Sequence, residues 1–277
     1  MTANKAQIDY WNGPTGEEWA KHNNETDRSL TQAAEAALKL AAARPGERVL
    51  DIGCGAGATS LALAEKVGPD GQVTGVDVSR PLLALARSRI QTGNIEFIET
   101  DAALHTFRAE HDLIFSLFGV MFFVDPVAAF ANIRKAAAPG GRLAFVCWRS
   151  VEENEWAWLP YAAAKPILPV QKPVHPHAPG PFALADGSRL RDILSAAGFS
   201  EIGIEKFDGM MDLGNTPQQA SFQVTQLMGP LSRALRIADD AVRAKVRDTV
   251  SEALAQLQTG TEAIRLGMAC WLVQAKA

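Results

Sequence analysis

From residue 48 onward, short apolar runs alternate with longer stretches whose apolar positions recur every three or four residues. The first rhythm belongs to strands buried on both faces, the second to amphipathic helices. This predicts a strand at 48–52, a helix at 58–67, a strand at 72–76, and a helix at 81–90 with Ser79 as its N-cap. Strands follow at 95–99 and 112–117. A helix at 126–137 is stopped by Pro139-Gly140-Gly141, and a strand follows at 142–148. Further on, a helix at 188–197, a strand near 202–207 and a closing strand at 264–274 complete the pattern, making seven strands. Strand–helix alternation of this kind predicts an α/β fold, a mostly parallel sheet with helices on both faces. Ligands of such sheets lie at the carboxyl ends of the strands.

Three segments depart from the rhythm. Residues 1–44 begin polar, with Tyr10, Trp11 and Trp19 interspersed, and end in an alanine-rich helix at 30–43 that Pro45-Gly46 terminates. Residues 149–187 carry Pro160, Pro166, Pro169, Pro173, Pro176, Pro179 and Pro181, so much of this insertion is expected to be non-helical and to act as a loop or lid. Residues 217–258 read as two helices, with breaks at Gly229-Pro230 and Gly260. The expected organisation is therefore an N-terminal helical lid (1–44), a ligand-binding core (45–148), a proline-rich insertion (149–187), and a C-terminal part of the core (188–277) that bears a helical cap (217–258).

The turn after the first strand reads Val49-Leu50-Asp51-Ile52-Gly53-Cys54-Gly55-Ala56-Gly57-Ala58. Glycines here let the backbone turn sharply and approach a ligand closely. Gly53, Gly55 and Ala58 also fit the fingerprint of a dinucleotide site, G-x-G-x-x-G/A. Asp51 argues otherwise. At about 4 Å and an effective dielectric near 20, a like-charge contact with a pyrophosphate costs about 4 kcal/mol. A cationic group suits it better. Asp77 ends the second strand, where a carboxylate accepts the hydroxyls of an unphosphorylated ribose. Asp101 follows the third strand, placed to reach the exocyclic amine of an adenine, while Ala102 leaves room for the ring. Taken singly, Asp51 could brace the glycine loop, and Asp77 or Asp101 could cap the next helix. Together, at corresponding strand ends, they suit a cationic nucleoside such as S-adenosylmethionine.

Composition narrows the partners. The formal net charge is −4, and no long run of lysine or arginine appears, which argues against a sequence-independent grip on nucleic acid. The cysteines Cys54, Cys147 and Cys270 are far apart and form no C-x-x-C pair. Buried thiols in a reducing cytoplasm are the expectation. The N-terminus has no apolar signal core, and no apolar run has membrane-spanning length. A small-molecule acceptor is expected, no metal site, and a homodimer is allowed.

The motifs VLDIGCGAG, GVDVS, Asp101-Ala102, DLIFSLFGVMFF and PGGRLAFVCW resemble those of the class I S-adenosylmethionine-dependent methyltransferases. They cover residues 45–148 well and the rest loosely. The first and last blocks are most similar to the small-molecule branch, the quinone-biosynthesis C-methyltransferases. The resemblance implies a Rossmann-like methyltransferase sheet and methyl transfer by in-line displacement, with S-adenosylhomocysteine as product. It places Gly53 and Gly55 beside the methionine part, with Asp51 on its ammonium directly or through water. Asp77 holds the ribose, Val78 flanks the adenine and Asp101 binds its amine. Ser116 and Leu117 stand near the sulfonium and the acceptor, Leu117 where relatives often carry arginine. Tyr10, Trp11 and Trp19 either cover the cofactor as a lid, which the resemblance favours, or belong to a helix packed on the domain edge. Phe118, Met121, Phe122 and Phe123 either line an apolar acceptor pocket or pack in the core. His175 and His177 are candidates for a general base. The alternatives are an NAD(P)-dependent oxidoreductase, which the glycine pattern permits, a protein that binds S-adenosylmethionine without catalysis, and a methyltransferase of tRNA or protein.

Overall fold

The computed structural model describes residues 4–170, 175 and 177–277. The strands are β1 (Arg48–Ile52), β2 (Gln72–Asp77), β3 (Ile95–Glu99), β4 (His111–Leu117), β5 (Ala137–Trp148), β6 (Ser200–Asp212) and β7 (Arg265–Lys276). They form one sheet of order β3-β2-β1-β4-β5-β7-β6. All neighbours from β3 to β5 pair in parallel, and β7 alone runs against both β5 and β6. The chain steps outward from β1 to β3, then returns to build β4 on the other side of β1. That reversal opens a crevice above the carboxyl ends of β1 and β4, where ligands of open α/β sheets bind. Val49, Leu50, Leu113, Ile114 and Phe115 are wholly buried, as their uninterrupted apolar runs require.

The helices are α1 (Lys5–Trp11), α2 (Pro14–Lys21), α3 (Asn23–Ala41), α4 (Ala58–Val67), α5 (Arg80–Ser88), α6 (Pro126–Arg134), α7 (Glu155–Ala164), α8 (Gly187–Ala196), α9 (Pro217–Phe222), α10 (Gly229–Ala234) and α11 (Asp240–Ala255). α4 occupies the predicted residues, 58–67. Others differ in ways that have physical causes. α6 stops at Arg134 because Ala137 is drawn into the sheet opposite His111. Ser79 holds the N-cap position of α5, but its hydroxyl does not cap; it donates to the Trp11 carbonyl at 2.8 Å.

The proline-rich insertion is more helical than expected. α7 contains Pro160 in its interior and buries Trp156, Ala157, Pro160 and Ala164 on one face. An interior proline costs a helix about 3 kcal/mol. Burying roughly 200 Å² of one tryptophan offsets that with on the order of 5 kcal/mol. Residues 217–258 are not two helices. α9 runs into a single π-turn at Gln223–Leu227, the expected break falls before Gly229, where α10 begins, and α11 follows as a third α-helix. Gly229 has φ +84°, so the glycine permits the sharp entry while Pro230 opens the helix.

Candidate functional site

The glycine loop leaves β1 with Gly53, Gly55 and Gly57 all at positive φ, 68°, 55° and 83°. Their duties differ. A Cβ on Gly53 would lie 2.6 Å from the Cα of Gly119, and one on Gly119 would lie 2.4 Å from the Ile52 carbonyl oxygen. These two glycines let the loops after β1 and β4 cross in direct backbone contact. A Cβ on Gly57 would meet the Phe97 ring at 2.7 Å. Around Gly55 no atom lies within 4 Å of the built Cβ. Gly55 is thus the position at which the loop faces open space.

The three strand-end carboxylates are held differently. Asp51 is fully buried; its Oδ2 accepts the hydroxyls of Ser60 at 2.6 Å and Thr59 at 3.0 Å, both in the first turn of α4. Its Oδ1 has no partner. Burial pushes its pKa up to about 6, against the pull of the Ser60 and Thr59 hydrogen bonds and with a further upward push from the Asp77 charge. Asp77 accepts the Gly55 N–H at 2.8 Å on one oxygen and the Ser79 N–H at 2.8 Å on the other. It braces the glycine loop and keeps spare lone pairs for a ligand, since a carboxylate accepts up to about four hydrogen bonds. Burial raises its pKa too, opposed by the backbone N–H groups of Ser79, Gly55 and Val78. Asp101 accepts the Ala103 N–H at 3.0 Å through Oδ1, and its Oδ2 is buried without a partner. An unsatisfied buried acceptor costs about 1–3 kcal/mol, so each orphan oxygen favours a ligand that brings a donor.

A cavity of about 240 Å³ lies over these groups. Its wall includes Gly53, Gly55, Asp77, Val78, Asp101 and Ala102. Tyr10, Trp11, Trp19 and Leu117 border it as well. Asp51 and Ser116 stand behind the wall. The Ser116 hydroxyl donates to the Ile52 carbonyl at 2.7 Å and accepts the Gly119 N–H at 3.1 Å, so it secures the loop crossing.

The N-terminal helices close over this cavity. Asn12 reads the backbone after β2 from both sides: its Nδ2 donates to the Val78 carbonyl at 2.7 Å, and its Oδ1 accepts the Arg80 N–H at 3.0 Å. Trp11 sits edge-on to Trp19 at 5.5 Å and to Phe122 at 5.6 Å. Trp19 donates its indole N–H to the Leu227 carbonyl at 2.7 Å, and the Arg236 guanidinium lies 3.7 Å over the Tyr10 ring. The lid is thereby fastened to both the strand ends and the cap.

Phe118, Met121, Phe122 and Phe123 all border the cavity, joined by Trp148 and Trp156. The insertion and the cap both contribute to this end. His175 and His177 do not reach it. They are exposed, the His177 N–H donating to the His175 Nδ1 at 3.2 Å, and neither borders the cavity. Other wall residues carried no sequence signal: Asn23, Thr26 and Asp27 of α3, and Ser232 and Arg233 of α10. Asp27 pairs with Arg89 at 3.6 Å, and Arg89 donates to the Ala56 carbonyl at 3.1 Å, which ties α3 to the glycine loop. Among the described residues, no three His, Cys, Asp or Glu side chains come together as metal ligands would.

A reversed seventh strand, a glycine loop at the switch point and carboxylates on three adjacent strand ends define the Rossmann-like methyltransferase fold. Residues 49–141 match the family described as a methyltransferase domain. The chain is 41% identical over 104 residues to the aklanonic acid methyltransferase DauC of Streptomyces sp. (strain C5), which covers 36% of this chain and 47% of that protein. Over 111 residues it is 35% identical to the ubiquinone/menaquinone biosynthesis C-methyltransferase UbiE of Pseudomonas putida, covering 38% and 43% of the two chains. The match thus spans less than half the length of these curated relatives. Among solved structures, phosphoethanolamine N-methyltransferase 2 of Haemonchus contortus, in complex with S-adenosyl-L-methionine, superimposes with a TM-score of 0.60 at 18% identity, over 100% of this chain and 60% of that one. The YcgJ protein of Bacillus subtilis does so with a TM-score of 0.58 at 20% identity, over 89% and 98%. At these identities the likeness is one of fold.

Proposed function

We propose that this protein transfers a methyl group from S-adenosylmethionine to a small-molecule acceptor. The observation that carries the reading is one cavity lined both by carboxylates from adjacent strand ends and by aromatic side chains. The residues present fit the cofactor. The orphan Oδ2 of Asp101, in the cavity wall, calls for a donor that an adenine amine brings, and the orphan Oδ1 of Asp51, behind the wall, for one that an ammonium would relay through a water. Asp77 would hold the ribose, Val78 and Ala102 would flank the base, and Gly55 leaves the loop open to the amino-acid part. DauC and UbiE, named as an aklanonic acid methyltransferase and a ubiquinone/menaquinone biosynthesis C-methyltransferase, support a small acceptor.

When bound, S-adenosylmethionine supplies a methyl on a sulfonium, which an acceptor lone pair takes as the carbon–sulfur bond breaks onto sulfur. The chain's own part is to position and to exclude water. Trp11 and Trp19 cover the site, and their π-faces favour a cationic centre. Phe118 and Leu117 at the end of β4 bound the space where an acceptor would stand. Orientation of this kind accounts for about 7–11 kcal/mol of a barrier in well-aligned cases. The acidic balance supports a small acceptor over a polyanion, and the free, buried cysteines support a reducing compartment. No helix among the described residues is long and apolar enough to cross a membrane.

The test is calorimetric titration with S-adenosylhomocysteine, followed by transfer of labelled methyl to a panel of acceptors. Absence of S-adenosylhomocysteine binding to the folded protein, with tight NAD binding instead, overturns the proposal.

A further inference from the structure

Several rings and one cation border the cavity beside the insertion and the cap. Phe118 and Trp148 stack face to face, with centroids 4.1 Å apart and planes within 13° of parallel. Trp156 leans on Trp148 at 4.9 Å and 50°. Two local features are committed to this arrangement. Phe118 has φ +59°, a left-handed backbone that a bulky residue adopts only where its surroundings impose it. Gly229 lies against Trp156, and a Cβ there would stand 2.8 Å from its Cζ3. Trp11, Trp19 and Phe122 form a second aromatic cluster on the lid side of the same cavity.

The cation is Arg233. Its guanidinium lies over the Pro179–Gly180 turn: Nη2 donates weakly to the Pro179 carbonyl at 3.4 Å, and a Cβ on Gly180 would lie 3.0 Å from Nη1. The Gly180 N–H donates to the Met121 carbonyl at 3.1 Å, which fastens that turn to the cavity wall. Arg89, Arg142, Arg149 and Arg243 each pair with a carboxylate. Arg233 has no such pair among the described residues, borders the cavity, and keeps most of its five donors free. Arg236, three residues on, adds a second positive charge beside Tyr10. The carboxylates that border the cavity, Asp27, Asp77 and Asp101, stand on other elements: α3, β2 and the turn after β3. Among the described residues the acceptor wall presents no carboxylate and no imidazole.

We infer that the acceptor is a planar aromatic carboxylate, its ring laid against the Phe118–Trp148–Trp156 wall and its anion taken by Arg233. The inference rests on the methyltransferase reading and narrows it. A planar ring matches the stacked wall through offset or edge contacts. A carboxylate matches the planar fork of a guanidinium, which pairs with two oxygens at once. An acceptor of positive charge would meet Arg233 and Arg236 unfavourably.

The experiment uses the full chain saturated with S-adenosylhomocysteine and titrates two matched probes, 2-naphthoate and 2-naphthamide. The carboxylate should bind about tenfold more tightly than the amide of the same shape. Arg233→Gln should bring 2-naphthoate down to the level of 2-naphthamide while leaving the affinities for 2-naphthamide and S-adenosylhomocysteine unchanged. Arg233 is exposed, so the variant is expected to fold, and its melting curve checks this. Cyclohexanecarboxylate, which has the charge without the flat ring, should bind more weakly than benzoate. Equal binding of the naphthalene pair, or a preference that survives Arg233→Gln, overturns the inference alone. Failure of S-adenosylhomocysteine to bind at all brings down the methyltransferase reading and this inference with it.

Discussion

Replacing Asp51 with asparagine removes a charge and keeps the shape, including a carbonyl that still accepts from Ser60 and Thr59. In the ligand-free protein, burial holds the carboxyl pKa at about 6, above its ordinary value of 3.8. A carboxyl whose folded pKa is raised keeps its proton more tightly when folded. Stability from this group is therefore greatest in acid and is lost as pH rises from 3.8 to about 6. The loss is on the order of 3 kcal/mol, constant at higher pH, and absent in Asp51→Asn. An ammonium that reaches Oδ1 through a water reverses the balance: it favours the ionised form, so binding releases a proton and affinity falls as pH drops below about 6. A charge-assisted hydrogen bond nets about 1.5–3 kcal/mol, below the ceiling of about 4 kcal/mol for the bare pair. Taking about 2 kcal/mol, Asp51→Asn should bind S-adenosylhomocysteine roughly thirtyfold more weakly at neutral pH. Calorimetry at about pH 5 and pH 7.5, in buffers of different ionisation enthalpy, reads both the affinity and the proton release. A variant within about threefold of the parent, or a parent indifferent to pH, would refute the reasoning.

Other perturbations separate the parts of the site. Ser60→Ala removes the shorter hydrogen bond to Asp51, at 2.6 Å, so the pH midpoint of S-adenosylhomocysteine affinity should move upward; a fixed midpoint would show that Asp51 does not set it. Gly53→Ala forces a Cβ to 2.6 Å from Gly119, and should lower stability by about 2 kcal/mol or more in thermal melts. Gly55→Ala meets no atom, so it should cost only about 1 kcal/mol of stability yet weaken ligand binding more than that strain accounts for. Asn12→Ala frees the lid from Val78 and Arg80; stopped-flow tryptophan fluorescence should show S-adenosylhomocysteine leaving several-fold faster, with about 1 kcal/mol of stability lost.

Most strands were readable because they are apolar runs bounded by turn residues, and β1 falls on the predicted residues, 48–52, whereas the largely exposed β6 extends past the expected 202–207 to Ser200–Asp212. The strand-end carboxylates were readable for a related reason: a strand end fixes where Asp77 and Asp101 emerge. α7 was hidden because Pro160 argues locally for a loop, while the burial of Trp156 that overrules it depends on tertiary contact. The π-turn at Gln223–Leu227 was hidden in the same way. Gly53 was read as a ligand contact, and its tightest constraint turned out to be Gly119, a residue distant in sequence. Of the aromatic wall only Phe118 carried a sequence signal. Phe118, Trp148, Trp156 and Arg233 lie on four separate elements, and only the fold brings them to one cavity.

The position of β7 between β5 and β6 has a consequence for how the protein is made. Every strand-end carboxylate and both cofactor-side loops are complete once β4 has been synthesised, but β6 has no strand to pair with until β7 emerges, roughly 150 residues after β4. At ribosomal speeds of about 5–20 residues per second, that interval is on the order of ten to thirty seconds. During it the nascent chain carries an unpaired edge on β5 and, for about the last third, a stranded β6, both open to mispairing with neighbouring polypeptides. A ligand that engages the early half of the sheet would shorten this exposure by holding its native edge in register while translation finishes.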